Sequence, residues 1–389
     1  MEKFDCIIIG GGASGSICAI NLARKGFNVA VVDGNTFPAK KLLVTGNGKC
    51  NILNSNLSNE FYNVNVDEYF KKCNFQKMKE YFNSIGIEIY EDSQHRCYPI
   101  TNSAKSVVSA IGNQFQKLGI KFFGEQAVQK FQKKGDYFEI FLKNSVIVSK
   151  KLVLACGGNK MLDCLCDEKI APFVPSLVAL KTKESTKKLD GVRVQNIKVT
   201  VKSNNKQYCQ KGEILFKDNG ISGICVFNLS SYLSRINDFN SQLFIDFLPD
   251  LSIEKTNDLI KEHMFIFENA CDVLTGIVQE KVAQEILKRV NVLNLKSKQL
   301  KIEQIKNISK LIHNLDYETC ACYDNNQVYS GGIELNSLSE CLESSHTHGL
   351  YFAGEVINVD GECGGYNLSW AWASGMIVAD EIALKLIGK

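Results

Sequence analysis

The sequence predicts an α/β fold that opens on a parallel sheet, and three observations predict it. Residues 3–9 are a short apolar run ending in glycine, the pattern of a buried strand. Residues 14–25 place Ile17, Ile20 and Leu22 on one side of a helix that Gly26 terminates. Residues 27–33 form a second, valine-rich strand. Together they make a β-α-β unit of about 30 residues, whose crossover joins two parallel strands.

The elements that follow can be read in order. The polar, glycine-containing stretch 34–59 predicts a long loop. Residues 66–85 have helical spacing, and 104–118 carry Val107, Val108, Ile111, Phe115 and Leu118 on one helical side. Residues 122–128, 137–142 and 146–154 alternate like strands, and the last runs into Cys156-Gly157-Gly158. Pro172 and Pro175 mark a change of character. From there to residue 247, strand-like runs at 192–201, 213–216 and 242–247 alternate with polar turns, which predicts an inserted β-rich domain. Residues 252–315 hold three helix candidates, clearest at 277–290 and 302–315, with apolar sides suited to packing. Residues 349–356 read as a strand entering Gly354-Glu355, and 364–385 as a glycine-rich turn feeding a long apolar helix. The expected domains are 1–175 and 321–389, forming one nucleotide-binding domain, with a β-rich domain at 176–251 and a small helical domain at 252–320.

Composition narrows the function. A chain of 389 residues with 45% hydrophobic and 22% charged residues can bury a core without disulfides or structural metal. The formal net charge of +3, with lysines scattered, gives no sign of a nucleic-acid or anionic-membrane partner. No run approaches the ~18 apolar residues of a membrane span, and the N-terminus lacks a signal-peptide pattern, so a cytoplasmic protein is expected. The 15 cysteines include two CxC pairs, Cys164 with Cys166 and Cys320 with Cys322. No second pair has finger-like spacing, so the thiols are expected to be reduced and structural, with no metal site.

Three segments carry chemistry. In Gly10-Gly11-Gly12-Ala13-Ser14-Gly15, the pattern GxGxxG follows a strand and opens a helix. Gly10 permits the tight turn, Gly12 a close pyrophosphate, and Gly15 helix-on-strand packing. Phosphates then face free N–H groups at the positive end of the helix dipole. Asp33, 18 residues after Gly15, ends the next strand and can accept hydrogen bonds from a ribose. The second segment is 349–367. There Gly354-Glu355 ends a strand, Glu355 can bond ribityl hydroxyls, and backbone N–H groups of Gly365, Tyr366 and Asn367 open a helix. A cofactor long enough to need both ends of the chain is FAD, with adenosine near Asp33 and flavin near the later turn. The third is 40–51, where Lys41 and Lys49 can neutralise pyrophosphate and Gly46, Gly48, Cys50 and Asn51 suit a backbone wrapped on a flat ligand. Val128 and Gly157, at the ends of two strands, join the candidate cofactor-binding residues.

Five stretches carry a family likeness in order along nearly the whole chain: 7–15; 41–51 with Asn54; 96–99; 212–216 with 220–223; and 331–332 through 354–355 to 365–372. They resemble the bacterial NAD(P)/FAD-dependent oxidoreductases described as aminoacetone-oxidase-like FAD-binding enzymes, a group that includes a flavin-dependent bile-acid 3-dehydro-Δ4,6-reductase. The resemblance implies a two-dinucleotide-binding-domain flavoprotein: a Rossmann-like FAD domain built from both chain ends, with β-rich and helical insertions. It implies hydride transfer through flavin N5 to or from a small organic substrate, such as reduction of a C=C bond. NAD(P)H is the implied donor, bound transiently, since no second complete GxGxxG is present. Two departures stand out. Residues 159–172 are shorter than the Ser/Pro/Gly/Thr-rich loop of similar proteins, and Ile224 replaces a proline after Gly223. The shortened loop leaves open a second reading, an FAD-binding, redox-responsive interaction protein without small-substrate turnover. Arg96 and Tyr366 are the candidate catalytic residues, with Tyr98 beside Arg96. His346 and His348 read as surface-loop histidines. The oligomeric state is not legible.

Overall fold

A strand apolar at consecutive positions needs cover on both sheet faces, and the second half of β1 (Lys3–Ile9) has it: Cys6, Ile7 and Ile8 are fully buried. The computed structural model describes residues 1–158, 167–324 and 328–388. These fall into two compact units, one of residues 1–174 with 328–388 and one of residues 175–324.

The first unit opens with β1, α1 (Ala13–Arg24) and β2 (Val29–Val32), then β3 (Leu53–Asn54), α2 (Asp67–Lys72) and α3 (Phe75–Ser84). It continues with β4 (Ile89–Glu91), β5 (Arg96–Pro99), α4 (Ala104–Lys117), β6 (Lys121–Phe123) and β7 (Lys130–Lys134). Next come β8 (Tyr137–Phe141), β9 (Val146–Leu154) and β10 (Ile170–Ser176). The second unit holds β11 (Leu180–Thr182), β12 (Arg193–Ser203), β13 (Lys206–Lys217), β14 (Gly220–Ser222) and α5 (Ile224–Arg235). It ends with β15 (Gln242–Asp246), α6 (Ile253–Ile266), α7 (Glu280–Arg289), α8 (Ile302–His313) and β16 (Leu315–Cys322). The chain then returns to the first unit with β17 (Val328–Ile333), β18 (Leu350–Phe352) and α9 (Tyr366–Ile387).

The main sheet of the first unit runs β6-β2-β1-β9-β8-β7, and β18 also pairs with β9. Strands β6, β2, β1, β9 and β18 are mutually parallel, with Ile8 opposite Val31 and Val153 opposite Tyr351. The last residues of β9 pair with β18, whereas its first residues pair antiparallel with β8. A single strand from the end of the chain thus joins the sheet beside the strand that follows β1. Helices α1 and α9 pack face to face: a Cβ on Gly375 would stand 2.5 Å from the Ser14 carbonyl oxygen.

Several expectations need correction. The helical spacing at 66–85 is two helices, because Asn74 leaves helical geometry and accepts a bond from Lys77 N at 2.9 Å, restarting the helix as an N-cap. The strand expected at 122–128 stops at Phe123: Glu125 N and Gln126 N turn away to bond Asn35 O and Asp33 O. Within the run read as strands, α5 is a helix. It starts after Gly223 (φ +108), and Cys225, Val226, Leu229 and Leu233 recur at helical spacing on its buried side. Leu315 begins a strand rather than ending a helix.

In the second unit, β11-β14-β13-β12-β15-β16 close into a barrel. The barrel closes only with β16, which follows the helices in sequence. Val199, Phe216 and Ile245 of the barrel therefore share one core with Ile260, Ile286 and Ile308 of the helices. The division expected at 251/252 does not separate two cores, and the return to the first unit lies at 328 instead of 321.

Candidate FAD site

The turn after β1 is built from three glycines with different reasons to be glycine. Gly10 has φ +105, and a Cβ there would stand 2.3 Å from Ala155 O. A Cβ on Gly15 would lie 1.9 Å from Gly10 O, which helix and strand cannot allow. Gly12 is different. Its φ of −72 suits any residue, and a Cβ there would meet nothing within 4 Å. The space lies in front of α1, whose first turn has no side-chain cap. Orphan N–H groups and the helix dipole make that space suitable for an anion. Ala13, partly buried, begins the helix.

Asp33 is already wired to this turn. One carboxylate oxygen accepts from Gly11 N at 2.6 Å, and the other from Asn35 N and Asn35 Nδ2 at 2.6 and 2.8 Å. An ionised carboxylate offers about four acceptor positions, so about one is left for a ribose hydroxyl.

The turn after β18 comes to the same place. Ser14 Oγ donates to Ala353 O at 3.2 Å, and a Cβ on Gly354 (φ +78) would lie 2.4 Å from that hydroxyl. Gly354 N donates to Ser374 Oγ, and Trp370 Nε1 donates to Gly354 O, so α9 holds the turn from below. Glu355 accepts from Tyr329 N at 2.8 Å through one oxygen and pairs with Lys41 Nζ at 3.1 Å through the other. Gly157 (φ +71), just past β9, sits over the same carboxylate: a Cβ would be 3.2 Å from Glu355 Oε2. Lys41 therefore bridges to an acid of the second turn.

The loop at 40–51 is a chain of 3₁₀ turns broken at Thr45, with Gly46, Asn47, Gly48 and Cys50 in left-handed geometry. Lys49 is exposed. Burial raises the Cys50 thiol to about 11, so it stays protonated at neutral pH. Asn51 lies between the loop and the second turn. A Cβ on Gly46 would be 2.6 Å from Asn51 N, and one on Gly365 (φ +97) would be 2.9 Å from Asn51 Oδ1 and 2.6 Å from Leu53 O. Asn51 Oδ1 is buried and has no hydrogen-bond partner.

Other expected residues make contacts within the protein. The Asn367 side chain both accepts from Gly361 N and donates to Gly361 O, so it locks the preceding turn. The Tyr366 ring stacks on Phe61 at 4.5 Å and meets Tyr62 edge-on, while Tyr62 Oη donates to Tyr366 O. Burial pushes the Tyr366 hydroxyl up to about 12. Val128 is buried in the core. Arg96 and Tyr98 share one face of β5. Arg96 is held by Asp92 through contacts of 2.7 and 2.8 Å, and Tyr98 stacks on Tyr90. His346 and His348 are exposed beside Glu168 and Glu343.

The HI0933-like protein Rossmann domain matches residues 4–381 of this sequence. The chain belongs to that family. HI0933-like proteins are FAD-dependent oxidoreductases. Over 402 residues the chain is 28% identical to a 3-dehydro-bile acid delta(4,6)-reductase of Clostridium scindens, covering 97% of this chain and 98% of the relative. It is 27% identical over 408 residues to a ribosomal RNA dihydrouridine synthase of Escherichia coli, covering 98% of each. Among solved structures, the 3-ketosteroid delta1-dehydrogenase of Sterolibacterium denitrificans matches with a TM-score of 0.50 and 10% identity. That match covers 99% of this chain and 100% of the other, a likeness of fold.

The HI0933-like site fits the cofactor on two observations: Gly12 has open space that no part of the chain explains, and Asn51 Oδ1 is a buried acceptor without a donor. Sequence reading missed Tyr329, Ser374 and Trp370, whose backbone N–H, hydroxyl and indole N–H, respectively, hold Glu355 and Gly354. It also missed Asn54 Nδ2, which donates to Gly364 O at 2.9 Å. Asn54 and Trp370 stood in family-like stretches, without a role read for either. The others act through single contacts between distant segments, which leave no local pattern. Among the described residues no group of three His, Cys, Asp or Glu can hold a metal, and Cys164, Cys166 and most of the shortened 159–172 loop lie outside them.

Proposed function

We propose that this chain reduces an activated C=C bond of a small organic substrate, drawing electrons from NAD(P)H. The reading rests on one observation, the direct joining of the two glycine turns through Ser14 and Ala353, reinforced by Lys41 and Glu355. The two relatives, a delta(4,6)-reductase and a dihydrouridine synthase, both carry names for reductive chemistry, which supports the direction of the reaction.

FAD, when bound, supplies hydride transfer at its N5. The α1 N-terminus and Gly12 would take the pyrophosphate, and the remaining acceptor position of Asp33 an adenosine ribose hydroxyl. Glu355, oriented by Tyr329 N and Lys41, would accept from the ribityl chain. Asn51 and the backbone N–H groups of Gly365, Tyr366 and Asn367 would face the flavin edge. Gly10, Gly15, Gly46 and Gly157 shape the walls by the close approaches described above, and Gly48 and Cys50 by their left-handed backbone. Tyr366 keeps its proton at neutral pH, yet its stacked ring suits it to shaping the site. Arg96, fixed by Asp92, is the candidate to polarise a substrate carbonyl.

The test is anaerobic. Purified protein should carry flavin, and NADH or NADPH should bleach its visible band, which an α,β-unsaturated ketone then restores. A flavin band that neither donor bleaches would remove the NAD(P)H-linked reductase reading while leaving the cofactor assignment intact.

A further inference from the structure

We propose that the outward face of the β12–β13 ribbon is a docking surface for a single-stranded nucleic acid. The whole chain carries +3, but the charge is uneven: residues 181–217 hold ten Lys or Arg and three Asp or Glu, a net +7, which leaves −4 for the rest. The barrel puts much of that charge on one side. Along β12, Ile197, Val199, Val201 and Ser203 are buried, so the intervening Lys198, Thr200 and Lys202 point outward. Their cross-strand partners on β13 are Lys211, Cys209 and Gln207, and Lys206 follows the hairpin turn of Asn204 and Asn205. From Lys206 to Lys217 the ribbon extends about 36 Å, at about 3.3 Å per residue.

The nearby acids leave most of this charge uncompensated. Glu213 is paired with Arg193, Glu318 with Lys183, and Asp250 with Lys211 at 3.6 Å. Asp246, opposite Lys198, accepts from His313 and Leu248 N. Asp238 accepts from Ser203 Oγ and Asn240 N. Among the described residues, Lys198, Lys202 and Lys206 have no carboxylate at ion-pair distance.

Two further features select the ligand. An open cleft of about 580 Å³ at the hairpin end is lined by Lys183, Lys202 and Lys206 and the amides of Asn204, Asn205 and Asn240, and its two acids are engaged, Glu318 by Lys183 and Asp238 by Ser203 Oγ and Asn240 N. Lysine-rich walls suit phosphates, and amides suit sugar and base edges. Aromatic rings lie beside the lysines: Lys202 lies over Phe244 at 4.9 Å, and Lys181 and Lys217 both lie over Tyr323, at 5.3 and 4.9 Å. Basic tracks interleaved with rings are how barrels hold single strands. A bilayer fits poorly, because the outward positions between the lysines are mostly polar (Thr200, Cys209, Gln207 and Gln242), and the one large apolar side chain among them, Phe244, is half-buried and lies under Lys202.

This surface is independent of the flavin reading, and its test reads both. FAD-loaded full-length protein is titrated into a fluorescein-labelled single-stranded RNA of about 15 nucleotides, with anisotropy followed from about 0.05 to 0.3 M salt. Five ribbon lysines should give a slope of log affinity against log salt of about −3.5, at about −0.7 per neutralised phosphate. The triple variant Lys198→Gln, Lys202→Gln, Lys206→Gln should reduce that slope by about 2 and weaken binding at least tenfold at ~0.1 M salt. Its flavin-to-protein absorbance ratio should be unchanged. Lys105→Gln, Lys117→Gln, Lys143→Gln, on the other unit, should alter neither. Absence of salt-dependent binding, or equal loss in the two triples, would overturn the proposal. So would tripolyphosphate displacing the strand as well as unlabelled RNA does at equal phosphate, because the cleft would then belong to a free phosphate compound.

Discussion

At Gly12 the backbone is one that any residue adopts and the Cβ position is open, so the chain itself would tolerate valine there. Gly12→Val should therefore fold, with a melting temperature close to that of the wild-type apoprotein, and yet lose most of its flavin on gel filtration. A fully loaded variant would show that the open space is not where the pyrophosphate goes. Asp33 acts differently, because its carboxylate holds Gly11 N and Asn35 as well as any ribose. Asp33→Ala should cost stability as well as flavin, about 1–3 kcal/mol for the Gly11 N–H left without its charged acceptor. Asp33→Asn retains one acceptor oxygen and should fall between. Comparison of denaturant midpoints for the two apoproteins checks the order. Glycine spacing and the acid at the end of β2 were legible in the sequence because they belong to one continuous β-α-β unit. That Asp33 spends most of its acceptor positions on the turn was not, since a carboxylate's partners depend on where the backbone N–H groups point.

Among the elements, α9 does the most structural work in the first unit. Trp372 is fully buried, donates to Ile52 O at 2.8 Å and meets Phe82 edge-on at 5.2 Å, so one side chain ties the last helix to the loop before β3 and to α3. Trp372→Ala should destabilise the protein by about 3–5 kcal/mol, and Trp372→Phe by less, with the Ile52 carbonyl left unpaired in both. Urea denaturation of the apoproteins measures this, and a change under about 1 kcal/mol for Trp372→Ala would contradict the packing described. The helix was visible in the sequence as a long apolar run after two glycines. Helix α5 was hidden, because its run of apolar residues sits between short strands and its period competes with theirs. The two helices at 66–85 merged into one in the reading because a single polar cap at Asn74 barely disturbs the spacing on either side.

The whole molecule combines two separate hydrophobic cores. FAD at about 100 times its dissociation constant should stabilise the unit that binds it by about 2.7 kcal/mol. Calorimetry should then show flavin raising the transition of the first unit and leaving that of the second in place. A uniform upward shift of both would mean that the units unfold as one. Acid should act through the first unit too. Burial tends to raise the Asp380 carboxyl, but hydrogen bonds and charge from Lys25 and Lys77 outweigh it and hold its pKa below the ordinary 3.8. A carboxylate with a depressed folded-state value stabilises fully above its unfolded value and loses that contribution as pH falls through the folded one. Asp380→Asn should lower the melting temperature at about pH 7 and about pH 5 alike, by an amount typical of exposed ion pairs. The gap should close as pH falls below the ordinary carboxylate range. The order of domains was legible because the glycine turns recur at both ends of the chain. The single core of the second unit was not, because barrel closure by β16 depends on pairing across the intervening helices.

Because β18 completes a sheet begun by β1 and α9 packs on α1, the ribosome must pass the entire second unit before both glycine turns exist. Until then the nascent chain carries a bare strand edge on β9 and an uncovered face on α1, with the entire second unit to be synthesised in between. Termination between residue 174 and β18 would release a colourless fragment that is prone to stick to itself. Holo-protein yield in cells should therefore depend on folding assistance during translation more than on the supply of flavin.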